Sequence, residues 1–239
     1  MRRLTTAFVS SLLLMGSITA SAFAQEVPVC GPPGGEVPAT IVGSGTIVGT
    51  PGDDVIVGSP TADTIDGGGG DDIICAGGGN DVVSGGRGDD ELIGDALDSV
   101  PFAPSNGNND DTLMGGPGDD VVVGLGGNDS LQGGPGNDTL IGMGGNDVGS
   151  GGPGDDTAFG GPLDDVLSGG PGNDTLFGNF GSDRIAGGTG SDFINGDNPL
   201  DPGVPLPDPL PFPPGSNNDV CSGGGGDGVD TILNCESSS

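Results

Sequence analysis

From Gly49 to Ser222 the chain repeats one pattern of polar and apolar positions with a period of nine. Aligned in nines it reads GTPGDDVIV from Gly49, GSPTADTID from Gly58, GGGGDDIIC from Gly67, AGGGNDVVS from Ala76 and GGRGDDELI from Gly85. After an insertion follow NGNNDDTLM, GGPGDDVVV, GLGGNDSLQ, GGPGNDTLI, GMGGNDVGS, GGPGDDTAF, GGPLDDVLS, GGPGNDTLF, GNFGSDRIA and GGTGSDFIN. A second insertion precedes PGSNNDVCS from Pro214, making sixteen units. The eighth position is apolar in nearly every unit, as in Ile56, Ile65, Ile74, Val83, Leu92, Leu113, Val122, Leu131, Leu140, Leu167, Leu176, Ile185 and Ile194. That is a hydrophobic stripe one residue deep. Self-similarity at a short fixed period is the signature of a solenoid, in which each unit buries its apolar residue only by stacking on its neighbours.

The sixth position is Asp in every unit: Asp54, Asp63, Asp72, Asp81, Asp90, Asp111, Asp120, Asp129, Asp138, Asp147, Asp156, Asp165, Asp174, Asp183, Asp192 and Asp219. A merely solvated run of charge does not keep such a register. The pattern resembles GGxGxDxUx, the nonapeptide of the RTX family of calcium-binding β-rolls. The resemblance implies an all-β parallel solenoid: a six-residue turn that holds calcium, then a three-residue strand, with two units per coil and the strands stacked into two parallel sheets. It also implies that the sixteen aspartates are metal ligands, each shared between coils, with turn carbonyls completing the shell.

The residue types suit that chemistry. Calcium takes six to eight oxygen ligands, carboxylate and carbonyl among them, and tolerates irregular geometry, whereas magnesium needs a tight octahedron and keeps its waters. Glycine lets a turn aim its carbonyls inward, because it adopts positive φ without steric cost. With two units per coil, Asp72 would lie between Asp54 and Asp90, and coils about 4.8 Å apart would bring those carboxylates into repulsion without a cation. One buried Ile or Leu per unit returns less than the ordering of nine residues costs, so folding is expected to depend on several bound calcium ions. Some units depart from the pattern: Thr61 and Leu163 replace the fourth-position glycine, and Gly149 and Ala158 thin the core in adjacent units.

Composition bounds the rest. The chain has 55 Gly and 21 Pro against 8 Phe and no Tyr or Trp, so large side chains for a conventional core are scarce. Acidic residues number 35 and basic residues 4, a balance that opposes nucleic acid and anionic membrane surfaces and favours a cation as partner. Met1-Arg2-Arg3, the apolar run from Ala7 to Ile18 and the small-x-small Ala22-Phe23-Ala24 read as a signal peptide over residues 1–24. The apolar run is too short to span a bilayer. Export places Cys30, Cys75, Cys221 and Cys235 where disulfides persist. Three connectivities are open, of which Cys30–Cys75 and Cys221–Cys235 would each staple one end. Zinc is a poor fit, with no His and no Cys-x-x-Cys.

The expected organisation is an N-terminal cap over 25–48, the roll over 49–222 with Pro-rich insertions at about 94–107 and 196–215, and a C-terminal cap and tail over 223–239. Thr40-Ile41-Val42 and Thr46-Ile47-Val48 resemble repeat strands without their aspartates, and Val229 to Leu233 resembles a stretched final unit. The functional expectation is a secreted, extracellular, non-enzymatic calcium-binding module with a structural, adhesive or partner-binding role. The two loops, with Val100, Phe102, Leu206, Leu210 and Phe212, are candidates for contacting a partner. A calcium-dependent hydrolase and an ice-binding protein are the alternatives. The first would have to draw on paired carboxylates such as Asp119-Asp120, which recur as part of the repeat; without His there is no Ser-His-Asp site, and no catalytic residue is assigned. The second needs an outward row of Thr and Asn, whereas the third position is Pro in seven of the sixteen units and Thr only at Thr189.

Overall fold

The computed structural model describes residues 29–30, 37–95, 109–197, 220–224, 231–233 and 235. The expected signal peptide, the bodies of both insertions and Asp219 lie outside the described residues. The strands are β1 (Val29–Cys30), β2 (Val37–Pro38), β3 (Ile41–Val42), β4 (Thr46–Val48), β5 (Val55–Ser59), β6 (Thr64–Gly69), β7 (Ile73–Gly77), β8 (Val82–Arg87), β9 (Glu91–Asp95), β10 (Thr112–Met114) and β11 (Val121–Gly126). They continue as β12 (Ser130–Gln132), β13 (Thr139–Gly144), β14 (Val148–Ser150), β15 (Thr157–Pro162), β16 (Val166–Pro171), β17 (Thr175–Phe180), β18 (Arg184–Thr189), β19 (Phe193–Asp197), β20 (Val220–Ser222) and β21 (Thr231–Leu233).

Alternate strands belong to alternate sheets. The even strands from β4 to β20 form a nine-stranded sheet and the odd strands from β3 to β21 a ten-stranded one. Every pair in both sheets is parallel and non-consecutive, with partners such as Leu131↔Gly149 and Leu140↔Ala158 eighteen residues apart. Two nonapeptides therefore make one coil, and the chain is a parallel β-roll.

The register of eighth positions survives both insertions. Val83 pairs with Leu113 across the first, and Ile185 pairs with Cys221 across the second. Side chains alternate along a strand, so the eighth residue points between the sheets while the seventh and ninth point outward. Ile56, Ile74, Leu92, Leu113, Val122, Leu176 and Ile194 are fully buried in the resulting core. Gly149 and Ala158 thin this core as their size dictates, yet the ladders run through them unbroken.

Both expected disulfides are present, Cys30–Cys75 and Cys221–Cys235. Strands β1 and β2 form an antiparallel pair, and β1 lies against β5 and β7, where Cys75 faces outward. The outer face of the ten-stranded sheet also carries Phe159, Phe177 and Phe193, with ring centroids 5.0 Å and 5.8 Å apart in turn.

Two edges remain, made of turns. The first edge carries the chain from the nine-stranded into the ten-stranded sheet, as at 115–120, 133–138 and 151–156. The second edge carries it back, as at 124–129, 142–147 and 160–165. Both insertions interrupt the second edge: the chain leaves from β9 and from β19 in the ten-stranded sheet and returns at β10 and β20 in the nine-stranded one.

Candidate metal centres

The sixth-position aspartates that the structure describes form two columns, one along each edge, and all are buried. What holds them in column is a backbone bond. The amide of each Asp donates to Oδ1 of the Asp one coil later: Asp120 N to Asp138 at 2.8 Å and Asp138 N to Asp156 at 2.8 Å on the first edge, Asp129 N to Asp147 at 2.8 Å and Asp147 N to Asp165 at 2.7 Å on the second. The column runs through the first insertion, where Asp81 N donates to Asp111 at 2.7 Å. Asp219, the last of the sequence-predicted ligands, lies outside the described residues.

The other oxygen is the informative one. Oδ2 of Asp72, Asp81, Asp90, Asp111, Asp120, Asp129, Asp138, Asp147, Asp156, Asp165 and Asp174 is buried and has no hydrogen-bond partner. A buried carboxylate oxygen without a donor carries an uncompensated desolvation cost, and such groups are paired or bind metals. Oδ2 faces the first residue of its own turn: a Cβ on Gly133 would stand 2.3 Å from Oδ2 of Asp138. The first-position glycine is thus required by close approach of the carboxylate.

Burial pushes these carboxyls above their ordinary value of 3.8, opposed by the backbone bond and assisted by neighbouring aspartates. Asp138 rises to about 6, Asp90 to about 7, and Asp111 and Asp165 to about 8. A cation in the turns would remove that penalty by pairing with the ionised form.

Asp54 and Asp63 stand apart. Their Oδ2 atoms accept from Thr50 N at 2.7 Å and Ser59 N at 2.6 Å, and the hydroxyls of Thr50 and Ser59 close the turns onto Gly52 O and Thr61 O, each at 3.1 Å. At Asp54 burial raises the pKa, but the bonds from Thr50 and Thr40 outweigh it and the net shift is downward. Hydrogen bonds here do what a metal would do elsewhere. Second-position Thr50 and Ser59 in place of Gly are the sequence signal for this, one that the nonapeptide pattern does not contain.

A further ladder was also missed. Fifth-position residues accept from the backbone one coil later, as in Asn137 N to Asp119 Oδ1 at 2.7 Å and Asn146 N to Asn128 Oδ1 at 3.0 Å. These residues are exposed and have donors. Asp119 faces solvent while Asp120 faces the turn interior, so the Asp-Asp pairs diverge instead of forming an acid-base couple.

The two edges differ in backbone. On the first, the second-position residues Gly116, Gly134, Gly152, Gly170 and Gly188 have φ between 115° and 126°. On the second, Gly77 and Gly161 have φ of 118° and 132°, but Leu125, Met143 and Asn179 hold that position at 80°, 73° and 77°, and Leu163 holds a fourth position at 80°.

Among the described residues no group of three Asp, Glu, Cys or His side chains converges. Each turn from Asp72 to Asp174 offers one carboxylate oxygen in a loop of backbone carbonyls. That donor set fits a hard cation with many oxygen ligands, calcium above magnesium, and is unsuited to a transition metal that needs nitrogen or sulfur.

Fold and site together define a parallel β-roll whose turns present oxygen ligands. The family model of the RTX calcium-binding nonapeptide repeat matches residues 48–83, 76–98, 105–140, 123–158 and 159–194, more than half of the chain. The chain belongs to that family. Comparison with curated proteins finds no match.

Proposed function

We propose that this protein is a secreted, non-enzymatic calcium-binding module whose sixth-position aspartates hold calcium between successive coils. The observation that carries the reading is the column of buried Oδ2 atoms without donors on both edges, from Asp72 to Asp174. Asp72, Asp81, Asp90, Asp111, Asp120, Asp129, Asp138, Asp147, Asp156, Asp165 and Asp174 are the ligands supported most directly; Asp183 and Asp192 continue the columns, and Asp219 would extend them. Bound calcium supplies positive charge between carboxylates that otherwise repel and joins one coil to the next. The chain contributes the fixed Oδ1 bond that orients each carboxylate and the glycine turn that leaves room for the ion.

Secretion is supported by the leader-like residues 1–24 and by two disulfides, which persist in oxidising compartments. The biological role is structural or partner-binding, with residues 94–107 and 196–215 as the segments offered to a partner. They depart from the second edge five coils apart, about 24 Å at the strand spacing. Deleting 96–107 and 198–215, which keeps Gly94, Asp95, Gly196 and Asp197 at their turn positions, should abolish partner capture while leaving calcium-dependent folding intact.

Circular dichroism during a calcium titration, with magnesium as control, tests the main reading. The chain should be largely unstructured in chelator and gain β-structure cooperatively in calcium, at about 0.1–1 mM as in extracellular modules. Equal structure in chelator and calcium would refute the coupling.

A further inference from the structure

The first insertion enters a turn without dismantling it. Strand β9 continues to Gly94 and Asp95, and Gly77 pairs with Asp95, so these two residues occupy the first and second positions of the next turn on the second edge. Gly94 behaves as a first-position residue: a Cβ there would stand 2.4 Å from Oδ2 of Asp111. Asn109 behaves as the fourth: a Cβ on Gly127 would meet Asn109 O at 2.0 Å, just as one on Gly136 would meet Gly118 O at 1.7 Å. Asp110 is the fifth, accepting from Asn128 N at 2.8 Å, and Asp111 the sixth, accepting from Asp81 N at 2.7 Å. The turn is closed in space although residues 96–108 separate its halves in sequence.

That turn carries a carboxylate at its second position, which the uninterrupted second-edge turns lack; Asp197, in register with Asn179, holds the same position where the second insertion departs. The corresponding residues of the uninterrupted turns are Ser59, Gly77, Leu125, Met143, Gly161 and Asn179. Asp95 is only 2 % exposed, and its Oδ1 accepts from Asn109 Nδ2 at 2.5 Å. It lies close enough to Asp81, Asp111 and Asp129, three successive members of the second-edge column, that its charge acts on all three. All three of those neighbours have a buried Oδ2 without a donor, and that of Asp111 faces Gly94, the residue before Asp95. A further buried carboxylate beside this column is a large electrostatic cost unless a cation shares it.

We propose that Asp95 is an additional calcium ligand, which joins Asp111 to make the turn at the base of the first insertion a more charge-rich metal site than the uninterrupted turns of the second edge. The inference rests on the calcium reading above and adds a residue outside the nonapeptide register. Its consequence is that the insertion is pinned at its root by the metal: the residue before the excursion and the residues after it close on one ion. More carboxylates in an oxygen cage raise calcium affinity.

The test uses the full chain. Calcium uptake is measured by equilibrium dialysis over a range of free calcium for the wild type and for Asp95→Asn, which keeps the size and the bond to Asn109 while removing the charge. Two controls are Asn109→Ala, which removes that bond alone, and Asp119→Asn, which removes one exposed carboxylate of the fifth-position ladder. Asp95→Asn should either lose one bound ion per chain or raise the uptake midpoint severalfold, and both controls should stay within twofold of wild type. Asp95→Glu should recover part of the loss. Wild-type uptake by Asp95→Asn overturns the proposal; so does an equal loss in Asn109→Ala, which would make Asp95 a hydrogen-bond acceptor only, or in Asp119→Asn, which would make the effect one of net charge. A wild-type chain that takes up no calcium would instead overturn the calcium reading itself, and this inference with it.

Discussion

Two oxygens of one carboxylate carry different tasks in this roll, and the division explains why Asp is tied to the sixth position. Oδ1 is committed to the backbone of the preceding coil, so the side chain has a single orientation before any ligand arrives. Oδ2 is left over and buried. Replacing Asp138 by Ala removes both functions in the middle of the first-edge column, where its neighbours are Asp120 and Asp156. Replacing Asp63 removes an Asp whose Oδ2 already has a donor in Ser59. The calcium midpoint for folding should therefore rise severalfold in Asp138→Ala and change less than about twofold in Asp63→Ala, followed by circular dichroism; a tenfold change would correspond to about 1.4 kcal/mol. Equal shifts would argue against ions held between coils.

The same residues set a pH dependence. Folded pKa values raised from 3.8 to about 6–8 mean that the native roll binds more protons than the unfolded chain through that window. In chelator, this contribution to stability is fully present below about pH 4 and is lost as pH rises through 6–8. Chelated protein should thus gain β-structure when taken from pH 8 to pH 5. In calcium the order reverses, because proton and ion compete for one carboxylate, and the calcium midpoint should fall as pH rises. The sixth-position Asp and eighth-position apolar residue were legible in the sequence because each repeats without regard to its neighbours. The tasks of the two oxygens were not, since they depend on which backbone amide lies one coil away, and neither Asp95 nor the Thr50 and Ser59 turns follow the nonapeptide rule that drew attention to the rest.

At the scale of strand and turn, glycine has two distinct meanings. Gly134 has φ of 126°, and a Cβ on it would meet Gly116 O at 2.1 Å, so Gly134→Ala should be strongly destabilising. Gly149 is an eighth-position residue on a strand, and its added Cβ would meet only the end of the Leu167 side chain, at 3.0 Å. Gly149→Ala should raise stability by about 0.5–1 kcal/mol, through a stiffer unfolded chain and a partly filled core. Thermal melts in saturating calcium would separate the two, and a destabilised Gly149→Ala would show that Leu167 cannot yield. Met143 presents the converse case, a bulky residue in the left-handed region at 73° on the second edge. Met143→Gly should relieve strain and lower the calcium midpoint modestly. The strands were readable from apolar periodicity. The inequality of the edges became visible only once alternate units were assigned to opposite sides, which placed every substituted turn from Leu125 to Asn179 in one column. The antiparallel pair β1–β2 had no sequence signal beyond Cys30, because its place depends on a disulfide partner that faces outward from β7.

Taken whole, the molecule is held by contacts that reach no further than one coil, with a covalent staple at each end. Two units per coil and two parallel sheets followed from the repeat and its resemblance to RTX nonapeptides, because a solenoid leaves few other ways to stack a unit that cannot bury its own apolar residue, whereas the local disulfide pairing was one of three open connectivities. The insertions pass through without disturbing that stacking, with Val83 over Leu113 and Ile185 over Cys221. Length is therefore a free quantity between units, but the number of units is not. Each nonapeptide sends the next to the opposite sheet, so position along the roll obeys a parity rule. Removing residues 133–150 takes out one full coil and should leave all later units on their own sheets, giving a shorter roll that still folds in calcium. Removing only 133–141 would reverse the side of everything that follows: the phenylalanine row of the ten-stranded sheet would pass to the other face, the substituted turns would be stacked on glycine turns, and the second insertion would emerge opposite the first. A chain built this way can grow or shrink by evolution only in steps of two.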